Sequence, residues 1–504
     1  MAPTAETTSG PVVGREKEGC LLFAGVPYAA PPTGDLRFRP PQPHRGWHEP
    51  RDATRFGTAA PQPGGGMEML FAGGGPEWDE DCLFLNIQTE SLDGSRPVMV
   101  WIHGGGFVNG QGAIPWYNGA RLVTNGSVVV VSINYRLGAL GFLHLGDFDS
   151  RFPTSGVNGI LDQIAALQWV RDNIAAFGGD PGNVTVFGES AGGFSVAALM
   201  ASPAAAGLFH RAIPQSGAAH HSLDPEGARK VTETFFEVGG YATVDDLRAA
   251  PAEALLAAQT HATAQLQRDP KARDGALALG MPYRPCAGTE ALPLPPHEAI
   301  HKGSAAEVPV LTGTTRDEWN LFSLLTQEEL EPQHLRRRLD RIFGEGRGAV
   351  AEQVYRANRP AADEAAVFAA VMTDFVFRMP AVRLAELQAM HCEDTYAYRF
   401  SWPSAAFGGR LGACHALEIP FVFDNLDRSG VEMFTGGSAP QGLATTMSEA
   451  WTQFAHTGRP VTSRLPDWAP YRADAGRSTM ELDTECGLVS DPDATERELW
   501  DGII

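Results

Sequence analysis

The stretch Val184-Thr185-Val186-Phe187-Gly188-Glu189-Ser190-Ala191-Gly192-Gly193-Phe194 decides how the chain folds. Its first four residues are β-branched and aromatic, the composition of a short buried strand. Beyond the glycines, apolar residues recur at helical spacing through Val196, Leu199 and Met200. A serine therefore stands on a sharp turn between a strand and a helix, with Gly188 and Gly192 where side chains would collide. The pattern G-x-S-x-G in this setting is a nucleophile elbow, which lifts a serine Oγ clear of a sheet and sets it at a helix N-terminus. The chain has 56 glycines in 504 residues, so a chance match is expected at roughly a few tenths per chain. The neighbouring elements have to decide.

Working outward, residues 82–88, 97–103 and 127–135 read as strands, and 98–102 and 128–133 are almost wholly apolar, as in strands covered on both faces. Residues 158–177 carry Ile160, Ile164, Leu167, Val170 and Ile174 at helical spacing and stop at Gly178-Gly179. Further strands are expected at 211–216, 308–314 and 396–400, with helical stretches at 223–280 and 326–395. This alternation predicts an α/β fold with a large, mostly parallel sheet. The segment 63–76, Pro-Gly-Gly-Gly-Met-Glu-Met-Leu-Phe-Ala-Gly-Gly-Gly-Pro, brackets Met67 and Phe71 between glycine triplets. It reads either as a surface loop or as a flap over a pocket.

Composition excludes several function classes. Hydrophobic residues make up 43% and charged residues 20%, enough apolar material for a large core. A net charge of −21 argues against nucleic-acid binding and against docking on anionic membranes. No run of about 18 apolar residues occurs, so no membrane span is expected. The six cysteines, at 20, 82, 286, 392, 414 and 486, lie far apart without a C-x-x-C pair, which argues against zinc and against a disulfide framework. These features, with no secretory signal pattern at the N-terminus, suggest a soluble cytoplasmic protein, a monomer before a dimer, without metal or cofactor.

Serine is a weak nucleophile at its own pKa and needs a base, which needs an orienting acid. In the α/β-hydrolase arrangement these follow in the order Ser, acid, His, on turns after later strands. Glu318 fits the acid after the strand at 308–314, with Asp317 and then Asp374 as rivals. His415 fits the base after the strand at 396–400. His103-Gly104-Gly105-Gly106-Phe107 offers bare backbone N–H groups; those of Gly105 and Gly106, with that of Ala191, suit an oxyanion. Gly344-Glu-Gly-Arg-Gly-Ala349 matches a nucleotide-binding fingerprint in form, but it follows a helical pattern and reads as a helix stop.

These residues together resemble the type-B carboxylesterase family of para-nitrobenzyl-esterase-like enzymes, mammalian carboxylesterases and cholinesterases. The landmarks run from Phe23-Ala-Gly-Val-Pro-Tyr-Ala through Glu80-Asp-Cys-Leu-Phe-Leu-Asn, Trp101-Ile-His-Gly-Gly-Gly-Phe, Asn134-Tyr-Arg-Leu-Gly and Asp162-Gln to Arg316-Asp-Glu and His415-Ala-Leu-Glu-Ile-Pro-Phe. The resemblance implies one α/β-hydrolase domain over 1–504, with helices on both faces and helical insertions at about 223–300 and 320–395 around an active-site gorge. It implies Ser190 as nucleophile, Glu318 rather than Asp317 as acid, His415 as base, and Gly105, Gly106 and Ala191 as the oxyanion hole. It also implies that Glu189, Ser216 and Glu418 support the triad. The disulfide that many members form from the position of Cys82 lacks its partner here, and Trp319 follows the acid where many members have glycine. The expected reaction is hydrolysis of a small-molecule carboxylic ester through an acyl-enzyme, with activity falling in acid as His415 takes a proton. Carbamate or amide hydrolysis is the nearest alternative, and a non-catalytic binding module a more distant one. Met67, Phe71, Phe107, Trp319 and Phe322 are expected to line an apolar pocket.

Overall fold

In the computed structural model, which describes residues 2–64, 77–268, 280–326, 330–437 and 439–504, the strand ahead of Ser190 lies in the middle of a large sheet. Among the described residues that sheet has eleven strands: β1 (Arg15–Lys17), β2 (Cys20–Pro27), β3 (Phe84–Thr89), β4 (Arg96–Ile102), β5 (Val129–Ile133), β6 (Gly179–Glu189), β7 (Arg211–Gln215), β8 (Val310–Thr315), β9 (Thr395–Phe400), β10 (Ser478–Leu482) and β11 (Gly487–Ser490). Their order is β11-β10-β9-β8-β7-β6-β4-β5-β3-β2-β1. The run from β5 through β4 and β6 to β10 is parallel throughout. Both margins turn antiparallel, at β10–β11 on one side and at β5–β3–β2–β1 on the other. Thr4–Thr7, Gly10–Val13 and Arg51–Asp52 form a second, small sheet.

The apolar runs expected as central strands are central, and their side chains divide between two cores with the period of two of a pleated strand. Val98, Val100 and Ile102 of β4 join one core, with Val184 and Val186 of β6. Met99 and Trp101 of β4 join the other, with Phe187 of β6. Helix Asn158–Asn173 covers the first face through Ile160, Ile164, Leu167 and Val170, tightens to a 3-10 turn at Ile174–Phe177, and ends at Gly178. Helix Gln441–Thr457 covers the second through Met447, Trp451 and Phe454. The helix that follows Ser190, Ala191–Ala201, is buried along its whole length, which explains why it carries no polar face.

The landmark polar residues serve this frame. Arg136 meets Asp162 through Nε and Nη2 at 2.8 and 2.7 Å, and both side chains are almost wholly buried. Gln163 donates to Ser195 Oγ at 2.9 Å and so ties the covering helix to the helix after Ser190. All six cysteines are free thiols.

Within the described residues the expected helical stretches are largely helical. Pro225–Gly239, Val244–Ala249 and Ala252–Arg268 form in the first. Asn320–Thr326, Pro332–Phe343, Gly348–Asn358 and the long stretch 364–389 form in the second. Gly344 stops helix Pro332–Phe343 with φ 98°, so the nucleotide-like glycine pattern is a helix end. The 26-residue stretch Glu364–Ala389 is, by length and composition, apolar enough to cross a membrane, although the sequence pattern gave no such expectation. Most of its apolar window is buried inside the protein, and Asp374 pairs with Arg378 within it at 3.0 Å. It is built as a core helix, with one π turn at Asp374–Arg378.

Candidate active site

Ser190 sits between the end of β6 and the start of helix Ala191–Ala201 with φ 57° and ψ −122°, a backbone that costs a non-glycine residue about 1–3 kcal/mol. The turn is held by Ser190 N–H donating to the Gln215 carbonyl at 3.0 Å and by Phe194 N–H donating to the Ser190 carbonyl at 2.8 Å. Gly192 has to be glycine, because a Cβ there would run into the Ile102 carbonyl oxygen of β4. Backbone strain recurs across the site: Phe107, Ser216 and Ala416 also have φ between 45° and 66°.

Glu318 lies in the turn after β8 and is fully buried. Its Oε1 accepts from Thr315 N–H at 2.8 Å and from Ser216 Oγ at 2.6 Å. Its Oε2 stands 2.6 Å from His415 Nδ1. Three donors thus converge on one carboxylate and fix its orientation. A proton on Nδ1 leaves His415 Nε2 as the acceptor, and Nε2 makes no hydrogen bond within the described protein. Glu189 Oε1 is 3.1 Å from Nε2 but is not aligned for a hydrogen bond. Asp317 turns the other way: its Oδ2 accepts from Ala413 N–H at 2.9 Å and pins the loop that carries His415. Asp374 is engaged with Arg378 and with Tyr355 Oη, which donates at 2.6 Å.

The other two glutamates are electrostatically different from Glu318. Burial, and then the charge of Glu318, raises Glu189 well above the usual carboxylate range. Burial, and then the charges of Glu189 and Glu318, does the same to Glu418. Among the described residues the side-chain donor to Glu418 is Gln215 Nε2 at 3.2 Å, and Gln215 Oε1 in turn accepts from Trp451 Nε1 at 3.0 Å. Three buried carboxyls thus crowd the site, and Glu318 is the one that holds two hydrogen-bond donors and the His415 ring.

The glycine loop after β4 approaches from the opposite side. Gly105 has φ 107°, and a Cβ there would run into the Asn109 carbonyl oxygen. The Gly105 carbonyl accepts from Val108 and Asn109 N–H, closing a tight turn. Asn134 Oδ1 accepts from Gly112 N–H at 2.7 Å, and Gln62 exchanges two hydrogen bonds with Gly110 at 3.0 and 3.1 Å. The N–H groups of Gly105, Gly106 and Ala191 have no acceptor among the described residues. Behind the loop His103 is buried and stacked on Tyr135 at 4.5 Å. Burial lowers it to about 4, so it is neutral at physiological pH.

Ser190, His415, Glu189 and Gly104–Gly106 share one cavity of about 720 Å³. Trp319 and Phe322 line it as expected. Phe107 does not: it is fully buried, edge-on to Phe142 at 5.0 Å, because its positive φ turns the side chain from the glycine loop into the core. Met67 and Phe71, with most of the segment 63–76, lie outside the described residues. Sequence reasoning missed the wall contributed by stretch 364–389. Phe377 of the π turn lies 4.7 Å from the His415 ring and Phe322 lies 5.3 Å from it. It also missed Arg338 and Arg341. The only available signal was the aromatic density of Asp374-Phe-Val-Phe, which a buried helix would show equally.

With this geometry in place, comparison with known proteins is decisive. The carboxylesterase family model matches residues 1–500. The chain belongs to the carboxylesterase family. It is 39% identical over 499 residues to para-nitrobenzyl esterase of Bacillus subtilis (strain 168), covering 98% of this chain and 97% of that protein. It is 33% identical over 505 residues to cocaine esterase of Homo sapiens, covering 93% and 86% respectively. A solved thermophilic PNB esterase superposes with TM-score 0.87 at 37% identity, covering 99% of this chain and 100% of that one. This carboxylesterase therefore has the α/β-hydrolase fold and is a serine hydrolase of carboxylic esters, which removes the non-catalytic binding module.

Proposed function

We propose that Ser190 attacks the ester carbonyl, with His415 as its base and Glu318 as the acid that orients and charge-balances His415. The observation that carries this reading is the 2.6 Å contact between Glu318 and His415 Nδ1, in the cavity that also holds the strained Ser190. His415 Nε2 takes the Ser190 proton as the Oγ–carbonyl bond forms, then gives it to the leaving alcohol. Water enters by the reverse path, frees the acid and restores Ser190. The oxyanion formed in each step is received by the N–H groups of Gly105, Gly106 and Ala191, each worth about 3–4 kcal/mol in the transition state. Ser216 holds the Glu318 carboxylate in place, while Glu189 and Glu418, which burial raises well above the usual carboxylate range, stand near the imidazole.

The substrate is a small-molecule ester whose acyl or alcohol part meets the Trp319, Phe322 and Phe377 wall. The chain acts as one domain over 1–504, with the insertions at about 223–300 and 320–395 walling the gorge. Six free thiols suit a cytoplasmic setting, and the protein acts as a monomer without cofactor or metal.

The test is hydrolysis of p-nitrophenyl esters from acetate to decanoate, with one aryl carbamate and one anilide, by wild type and Ser190→Ala, each also treated with an organophosphate. Turnover lost in the variant and a single label on Ser190 are expected. Carbamate or anilide cleavage matching the esters would move the substrate assignment, and a label elsewhere would overturn the choice of nucleophile.

A further inference from the structure

Five arginines are buried among the described residues: Arg37, Arg136, Arg284, Arg378 and Arg497. Four of them meet a carboxylate: Arg37 pairs with Glu80, Arg136 with Asp162, Arg378 with Asp374 and Arg497 with Asp491. Arg284 is the most deeply buried of the five, and among the described residues no carboxylate pairs with it. Its Nε and Nη2 have no hydrogen-bond partner. Asp224 is the acid whose charge reaches it. Asp224 is exposed, however, and its Oδ1 accepts from Gly227 N–H at 2.7 Å as the cap of helix Pro225–Gly239. Burial lowers the Arg284 guanidinium to about 9, so it carries its charge at neutral pH. An unpaired charge at such depth is among the most costly features a fold can hold.

The free groups share one edge. Nε–H and one Nη2–H lie side by side on the planar guanidinium, the fork that meets an anion with two parallel hydrogen bonds. His221 stands on the same side. Leu223 and Cys286 form a parallel bridge, in which Leu223 N–H donates to the Pro285 carbonyl and Ala287 N–H to the Leu223 carbonyl, both at 2.9 Å. His221 and Arg284 each stand two residues ahead of that bridged pair, and the period of two of an extended chain turns them to one face. Burial, and then the charge of Arg284, lowers His221 well below its ordinary range. Its ring is therefore neutral with one N–H, and neither ring nitrogen has a hydrogen-bond partner. The ring stacks on Phe194 at 3.9 Å, and Phe194 lines the cavity of Ser190. The two residues thus lie behind the helix that starts after the serine.

We propose that Arg284 and His221 bind a small monovalent anion of chloride size, held on the Nε–Nη2 edge of Arg284 and by the His221 N–H, behind Phe194. Water accepts from such donors but leaves the charge uncancelled, whereas one anion cancels it. A divalent oxyanion would replace one uncompensated charge by another, so the ligand carries a single charge. The ion belongs to the wall of the cavity and takes no part in making or breaking the ester bond. The proposal therefore stands apart from the roles of Ser190, Glu318 and His415.

The experiment exchanges the protein into sodium gluconate, whose anion is too large for a buried site, and then replaces gluconate by chloride at constant ionic strength. The thermal midpoint of wild type is expected to rise by about 2–4 °C and to saturate, because a ligand of the folded state alone stabilises it by mass action. Arg284→Met should show no rise, and Arg284→Lys, which keeps the charge without the fork, a smaller one. Arg336→Met, at an exposed arginine paired with Glu352, should keep the wild-type rise. No rise in wild type, or an equal rise in Arg284→Met, would overturn the proposal. Anomalous diffraction from wild-type crystals grown in bromide depends on no variant folding. A peak touching Arg284 Nε and Nη2 and a ring nitrogen of His221 is expected. Peaks confined to other places are adventitious ions only, and they or a water on the Arg284 edge would overturn the proposal equally.

Discussion

The two halves of the cavity are built differently. One half stands on the ends of parallel strands: Ser190 after β6, the glycine loop after β4, Glu318 after β8 and His415 in the loop beyond β9. Its polar atoms are fixed by hydrogen bonds of 2.6–3.0 Å, and its backbone is strained at four non-glycine residues. The other half is a wall of helices over 320–389 that presents aromatic rings, apolar chains and two arginines. The first half is determined by geometry that a fraction of an ångström would spoil, whereas the second is determined by volume and charge. Substitutions in the first should therefore act on kcat by orders of magnitude, and substitutions in the second on KM and substrate profile by small factors.

The sharpest break of this contrast uses two buried glutamates of the same site, Glu318 and Glu418. Glu318→Gln keeps the shape of the side chain and offers His415 an amide in place of the carboxylate that three donors hold. The expected loss in kcat is about 10³–10⁴-fold. Glu418→Gln replaces a carboxyl that burial raises well above the usual range and keeps an acceptor for Gln215 Nε2, so its kcat should stay within about tenfold of wild type. Steady-state kinetics on one p-nitrophenyl ester decides it; comparable losses in the two variants would show that Glu418 is ionised in the working enzyme.

Gly105→Ala probes the opposite side of the same half. The added Cβ meets the Asn109 carbonyl, and φ 107° is unsuited to alanine, so the loop has to move and carry its donors with it. A fall in kcat of about 10²–10³-fold with little change in KM is expected, the effect of losing one oxyanion donor. A change confined to KM would place the loop in ground-state binding instead.

How much of this was legible in the sequence follows the same division. Ser190, Glu318, His415 and the glycine loop stand on turns that need particular residue types, so their identity survives as local pattern. Even so, spacing alone left Glu318 and Asp317 open. Adjacent turn residues point to opposite sides here, Glu318 to His415 and Asp317 to Ala413 N–H, a difference that spacing does not carry. Phe107 shows the limit: its place beside the glycines suggested a pocket residue, but a positive φ, invisible in sequence, sends it into the core. The wall was unreadable for a different reason. Phe375, Phe377 and Met372 have the composition of any buried helix, and a shift of a few tens of degrees around the helix axis, made here by the π turn, decides whether they face core or cavity.

A pH experiment sharpens the sheet-borne half further. Burial holds His103 at about 4 in the folded protein, below its ordinary value near 6.5. Above about pH 6.5 the ring is neutral in both states and has no effect on the balance. As pH falls from about 6.5 towards 4 the unfolded chain takes the proton first, so folding stability is lost across that window, up to about 3 kcal/mol in full. Denaturant midpoints at neutral and mildly acid pH should therefore diverge more for wild type than for His103→Gln. Equal divergence would mean that the stack on Tyr135 tolerates a charged ring.

The smallest effect belongs to the wall. Trp319 follows the acid directly, its N–H is held by Thr373 Oγ1 at 3.0 Å, and its ring leans on Phe322 at 4.8 Å. The backbone is thus fixed by a bond that does not involve the indole, and the indole only occupies space. Trp319→Gly leaves the position of Glu318 to the bonds it already has and removes one side of the acyl or alcohol space. Short esters should lose binding by about threefold to tenfold in KM as a lining ring disappears, while kcat on them changes little. Longer or branched esters should gain relative to short ones, moving the optimum along the acetate-to-decanoate series. A uniform fall in kcat across the series would instead mean that the indole holds the acid in place, and the division between a geometric half and a volumetric half would fail at the one residue where the two halves meet.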